Sequence, residues 1–418
     1  MLSDNSLSKE ITGTKYPLKG IRVTDLGLVW AGPGLTMMLA DMGAEVIKVE
    51  SHRHIDMLRV FAPYAEGRSV SEDASATFHA LNRNKLGIAL DLGHEEARQL
   101  VKRLVSVSDV VAENFSPRAM RRWELSYEEL RKVKSDIIMV SLSAAGQTGP
   151  LRDTMTYGPS LGGLAGIEAL IGYYNEGSHG TQMAYCDPVA GAFGAFAVLA
   201  ALRYRASTGK GQHVDLAQMQ AVGTMLGYPL MEYIMNRRNL PCVGNRHRWA
   251  APHGCYRCKG NDSWISIAVT SEEEWESLCR ALGNPEWSRD KKFKDMRTRK
   301  LNEDEMDGYI GEWASKLEHY DAMFRLQREG VAGVASLNSL EVMHDPHMAS
   351  RSNWVQTKYP HTGDDELVPG IHWKMSRSEG GFYRHAPLLG GDRDYVLREI
   401  LDISEDEIAA LEEQGVFY

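Results

Sequence analysis

Cysteine is scarce in this chain, with five residues among 418, at Cys186, Cys242, Cys255, Cys258 and Cys279. The count is odd and the density low, so no disulfide framework organises the fold, and a reducing compartment, the cytoplasm, is the expected setting. A positive charge excess is missing as well. Forty-seven basic residues against fifty-six acidic ones leave a net charge of −9. That argues against a general nucleic-acid or anionic-membrane surface, while leaving room for a local basic cluster on a small anionic ligand. Long apolar runs are lacking too. Pro188 to Leu202 is a charge-free stretch of fifteen residues, short of the ~18 that suggest a membrane span, and its Ala and Gly content suits a helix packed closely in a core. The opening segment MLSDNSLSKEITGTKYPLKG has no signal-peptide core and reads as a loose arm before the first strand.

Nucleotide-binding glycine motifs are absent. No G-x-x-x-x-G-K-[ST] occurs, so ATP-driven chemistry has no support. GLVWAGPG is not G-x-G-x-x-G, and Pro33 removes a backbone N–H that a phosphate cradle would use, which disfavours a nicotinamide enzyme even though Glu50 sits where a ribose-binding acid would. Cys255 and Cys258 in CYRC have the spacing of half a zinc site. The other half is missing and the flanks read as a strand, so the pair is taken as inert and no metal is expected. No repeat of fixed period is present.

What is present is alternation. IRVTDLGLVWAGPGLTMMLADMGAEVIKVE reads strand, glycine-bearing turn, helix, strand, and the pattern returns through LGIALDL, DVVAENF and DIIMVSLS with amphipathic helices between. This predicts an α/β, Rossmann-like doubly wound domain with a largely parallel sheet. Its N-terminal part is expected over residues 1–225. Beyond it, NRRNLPCVGNRHRWAAPHG is rich in breakers, DSWISIAV reads as a strand and SEEEWESLCRALG as a serine-capped helix, giving a smaller α+β domain with linkers over 226–330. Residues 331–418 are expected to return to the large domain. Arg83, Lys85, Arg118, Arg121 and Arg122 fall at or after the carboxyl ends of predicted strands, the ligand edge of an open α/β sheet, where basic groups suit a polyphosphate.

One acid stands out. Asp187 and Pro188 open the apolar run, and both residue types favour a helix start, which predicts Asp187 as an N-cap with Pro188 at the first helical position. A carboxylate at the mouth of so apolar a helix also suits a reaction that must be kept dry.

The segments LVWAGPGLTMMLADMGAEVIKVE, LNRNKLGIALDL, DVVAENFSP, SLSAAGQTGP, and CDPVAG with TGKGQHVDL, in this order and with the C-terminal RHAPLLGGDRDYVL, resemble the family III CoA-transferases. The resemblance implies two domains and a dimer whose subunits thread through each other, as a homodimer or a heteromer with a similar chain. It implies acyl-CoA and carboxylic acid substrates, no tightly bound cofactor and no nucleic-acid or membrane partner. Asp187 matches the nucleophilic aspartate that forms an acyl anhydride and then an aspartyl-CoA thioester. Asn82, Asn84 and Lys85, Asn114 and Phe115, Arg122 and Ser143 match positions near CoA, and Val29, Trp30 and Ala31 line the implied pantetheine channel. Trp30 departs from the glutamine of the oxalate-specific branch and, with Tyr157, suggests a bulkier acyl pocket. MTYGPSLGGLAGI is closest to branches that use succinyl-CoA with aromatic succinates such as benzylsuccinate. The family also holds α-methylacyl-CoA racemases, but Tyr157 stands where their histidine base falls, and a phenol with pKa near ~10 is a poor base at neutral pH. A third alternative, a non-catalytic subunit of a heteromeric enzyme, is disfavoured by the presence of Asp187.

Overall fold

The computed structural model describes residues 15–61, 71–359, 363 and 365–418. Most of the expected N-terminal arm, residues 1–14, lies outside the described residues. The chain divides into two compact units. The larger contains the described residues up to Ile167, Thr181–Met231 and Ser350–Tyr418, and the smaller contains Glu168–Gly180 and Glu232–Ala349. The sequence set the middle unit at 226–330. In the structure it runs on to Ala349 and includes an earlier segment, whose short strands β6 (Gly172–Tyr173) and β7 (Gly177–Ser178) pair antiparallel.

In the larger unit the chain runs β1 (Arg22–Asp25), α1 (Ala31–Asp41), β2 (Glu45–Glu50), α2 (Ala76–Asn82), β3 (Lys85–Ala89), α3 (Glu95–Ser106) and β4 (Val110–Glu113). It continues through α4 (Pro117–Arg122), α5 (Tyr127–Val133), β5 (Ile138–Ser141), α6 (Gly158–Ala165), α7 (Cys186–Thr208), β8 (Gln212–Asp215) and α8 (Gln218–Gly223). Six strands form one sheet in the order β3-β2-β1-β4-β5-β8, every pair parallel. Near-continuous apolar strands such as IMV in β5 are what a sheet covered on both faces requires. Successive β4 residues point to opposite cores. Val111 packs with α3 and Met139, whereas Val110 and Ala112 pack with Leu35 and Leu39 of α1 and Val198 of α7.

Helix α7 is 23 residues long, more than the fifteen-residue apolar run suggested, because Cys186, Asp187 and the polar end Arg203–Thr208 belong to it. By length and composition it is apolar enough to cross a membrane. Its small residues lie instead against α1: a side chain on Gly191 would come 3.2 Å from the Ala31 carbonyl oxygen and 3.3 Å from the Leu35 nitrogen. Glycine at this position allows the backbones their close approach.

The smaller unit carries an antiparallel sheet, β11-β10-β9, made of β9 (His253–Arg257), β10 (Trp264–Ala268) and β11 (Ala332–Ser336). Helices α9 (Glu272–Ala281), α10 (Glu303–Ala314) and α11 (His319–Arg328) pack on it through Trp275, Leu278, Met306, Ile310 and Leu326. Ser271 caps α9 by accepting the Glu274 N–H at 3.2 Å. CYRC lies on and just past β9, where Cys258 is buried and its thiol is pushed up to about 11 by burial, so it is a poor source of thiolate.

Candidate active site

The strand order reverses between β1 and β4, because β2 and β3 lie to one side of β1 and β5 and β8 lie beyond β4. The carboxyl ends of β1 and β4 are therefore the switch point at which open α/β sheets bind ligands. After β1 the chain turns through Gly27–Trp30 into α1. After β4 it gives Asn114 and Phe115.

Asn114 bridges the two loops, with its side-chain oxygen accepting the Leu28 N–H and its amide donating to the Leu28 carbonyl, both at 2.8 Å. Phe115 is half-buried and stands edge-on to Trp123 at 5.0 Å between ring centroids. Arg118, Arg121 and Arg122 are exposed on α4. The other basic candidates lie differently. Arg83 is buried and forked onto Asp41 at 3.0 and 2.6 Å. Lys85 is fully buried, and its ammonium reaches Asp25 at 2.9 Å, the Pro33 carbonyl at 3.0 Å and Asn82 at 2.9 Å. Burial lowers its pKa to about 8 against the pull of Asp25, so it remains charged at neutral pH. Asn84 donates to Asp41 and to the Gly381 carbonyl and accepts the Tyr383 and Arg384 N–H groups.

The structure thus places the polar atoms of Asn82, Asn84 and Lys85, the residues expected near CoA, in bonds inside the fold. Ser143 is also buried. Its carbonyl accepts the Gln218 N–H at 3.1 Å.

Asp187 corrects its own helix-cap expectation. The N-cap position belongs to Tyr185, and Asp187 stands inside the first turn of α7. An acid there is favoured by the helix dipole. Its carboxylate is half-buried, and burial raises its pKa to about 6 against the stabilising effect of its own backbone N–H. Gly191, one turn further on, abuts the carbonyl of Ala31. The start of α7 therefore lies beside the start of α1, with Trp30 and Ala31. On another side the carboxylate faces Gly158, where an added β-carbon would lie 2.7 Å from Asp187 Oδ2. Tyr157 caps α6 and is exposed. Cys186 is buried, whereas Tyr185 is 41 % exposed.

The structure thus gathers Val29, Trp30, Ala31, Asn114 and Phe115 on the segments that follow β1 and β4, with Ala31 fully buried, and sets Asp187 and Gly158 beside the start of α1. It keeps Asn82, Asn84, Lys85 and Ser143 beneath the surface. Sequence reasoning missed Gly158, whose only sequence signal is its place before Pro159 at a helix start. It also passed over Glu113, a lone acid in an apolar strand. Burial lifts its carboxyl to about 7, although it accepts the Phe115 N–H at 2.7 Å.

An open parallel sheet of this order defines a doubly wound α/β protein, with Asp187 as its candidate reactive group. The model of CoA-transferase family III matches residues 18–393. The β subunit of succinyl-CoA–L-malate CoA-transferase from Chloroflexus aurantiacus is 30% identical over 97% of this chain and 99% of its own length. Succinyl-CoA–D-citramalate CoA-transferase from the same organism is 30% identical over 96% of this chain and 98% of its own length. The crystal structure of a CAIB/BAIF family protein from Brucella suis superposes with a TM-score of 0.83 at 29% identity, covering 93% of this chain and all of that one. The chain belongs to CoA-transferase family III and is a CoA-transferase whose substrates are CoA thioesters.

Proposed function

We propose that this enzyme moves CoA from succinyl-CoA to a carboxylic acid, with Asp187 as the covalent carrier. The Asp187 carboxylate attacks the thioester carbonyl and the carbon–sulfur bond breaks, giving a mixed anhydride and CoA thiolate. The thiolate attacks the aspartyl carbonyl and expels succinate, leaving an aspartyl-CoA thioester. The acceptor carboxylate attacks that thioester, and the released thiolate then takes the acceptor acyl group and frees Asp187. One thioester is traded for another, so no nucleotide is consumed, and a difficult exchange is split into easier steps.

The observation that carries this reading is the Asp187 carboxylate itself. Its raised pKa, about 6, makes it more basic than a solvated aspartate while leaving it largely ionised at neutral pH. Its half-buried place suits an anhydride that water would destroy.

Succinyl-CoA in the names of two relatives supports the donor, and Trp30 with Tyr157 favours an acceptor with apolar or aryl bulk, benzylsuccinate being the example the sequence suggests. One relative is named as a subunit and the other is not, so a homodimer and a heteromer are both within the proposal, interlocked in either case. A cytoplasmic setting is part of it too, in keeping with five cysteines that form no disulfide with one another.

Asp187→Ala should abolish exchange between succinyl-CoA and a panel of malate, citramalate, glutarate and benzylsuccinate while CoA still binds. Hydroxylamine added to enzyme and acyl-CoA should mark Asp187, read by peptide mass mapping. Substantial turnover by the alanine variant, or a label on another acid, removes the covalent reading.

A further inference from the structure

Val29 adopts φ 63°, the left-handed region that β-branched residues avoid. Such a conformation persists only where the surroundings over-determine it, and here they do. The Val29 N–H donates to both carboxylate oxygens of Asp56, at 3.1 and 3.2 Å. Asp56 also accepts the Leu58 N–H at 3.0 Å. Its Oδ2 lies 3.3 Å from the Lys48 ammonium, and both side chains are 0% exposed. Lys48 in turn donates to the Gly27 carbonyl at 2.7 Å. Burial works against the lysine's charge, but Asp56, Glu50 and Asp25 outweigh it and hold its pKa above the ordinary lysine range.

A single buried ion pair therefore grips the loop at two points, the Gly27 carbonyl and the Val29 amide. Asn114 holds Leu28 between them from the loop after β4. The left-handed residue is the last but one before α1, so its conformation sets where Trp30 stands and where the helix begins. Buried ion pairs are weak evidence for stability. This one directs its hydrogen bonds to the backbone of a strained loop at the ligand edge.

We propose that Lys48 and Asp56 are positioning residues. They hold Val29 left-handed so that Trp30 and the first turn of α1 stay fixed beside Asp187. The inference rests on the reading of Asp187 as acyl carrier. Neither residue touches substrate; each acts through the backbone of Gly27–Val29.

The test is a rescue experiment on the full-length enzyme with succinyl-CoA as donor. Asp56→Asn should lower kcat on the order of 100-fold, the cost of a misplaced reacting group, while KM for succinyl-CoA changes by less than about threefold. Adding Val29→Gly to that variant should return most of the loss, because glycine takes the left-handed conformation without strain. Asn114→Ala loosens the same loop without leaving a buried charge unpaired, so it gives the same reading if Asp56→Asn does not fold. Its kcat loss should likewise shrink with Val29→Gly. A folded Asp56 or Asn114 variant with kcat within about threefold of wild type, or a loss that Val29→Gly leaves untouched, overturns the proposal. Asp187→Ala keeps the two readings apart. Its activity sinks the covalent mechanism, whereas its inactivity beside an unimpaired Asp56 variant sinks only the clamp.

Discussion

Asp187 carries two opposed demands. Burial raises its pKa to about 6, and an unfolded aspartate titrates near ~3.9, so the native state holds this proton more tightly than the unfolded chain. The stability this group contributes is full below pH ~4 and is lost as pH rises through about 6. Activity runs the other way, because only the carboxylate is a nucleophile. We expect kcat/KM to rise with pH to a midpoint near 6 and then level off. Asp187→Asn should melt higher than wild type at pH 8, with the difference fading at pH ~4. Calorimetry at the two pH values checks the second expectation. An asparagine variant no more stable at pH 8 would mean that the carboxylate is solvated. The difference between the two proteins is the quantity to use, because Glu113, lifted to about 7, titrates in both.

At the scale of elements, the site depends on glycines that let three helices approach one another. Gly158 opens α6 so close to the start of α7 that an added methyl would lie 2.5 Å from Ala184 Cβ, 2.7 Å from its Cα and 2.7 Å from Asp187 Oδ2. The Ala184 Cα belongs to the backbone and cannot swing aside. Gly158→Ala should therefore cost about 1–3 kcal/mol by overpacking and lower kcat/KM by roughly 100-fold as the carboxylate is displaced. Gly163, in the same helix with nothing within 4 Å of its would-be side chain, is the control. Gly163→Ala should gain about 0.5–1 kcal/mol from helix propensity. Equal thermal shifts in the two variants would deny Gly158 its special place. Strands β1 to β5 and helices α1, α3 and α7 were legible in the sequence because their apolar periodicity is local. β8 was not read as a sixth strand, since QHVD lies at the sheet's end and carries no apolar run. The burial of Lys85 and Arg83 was equally hidden. Charged residues are rarely fully buried, and only the distant partners Asp25 and Asp41 make it tolerable here.

The whole molecule raises the question of what covers α7. One side lies in the core, while Phe193, Phe196 and Leu199 are 43%, 72% and 44% exposed. An apolar helix left half in water is unfavourable by about 25 cal/mol for each Å² of apolar surface, and patches of this kind mark association sites. The larger unit is also assembled from both ends of the chain, with Glu232–Ala349 between them in the sequence. The chain thus leaves that unit and returns to it, a layout that supports the threaded dimer proposed above. The parts of a threaded dimer cannot separate unless one chain opens, so dissociation is limited by unfolding rather than by interface strength. Light scattering should show a dimer that persists on dilution. Tagged and untagged dimers mixed under native conditions should form no hybrids, whereas co-expressed chains should. Phe196→Asp, by placing a charge on the exposed face, should reduce the dimer formed during expression. Hybrids appearing promptly on mixing would leave a dimer of separable subunits, and a wild-type monomer with full activity would remove the dimer altogether.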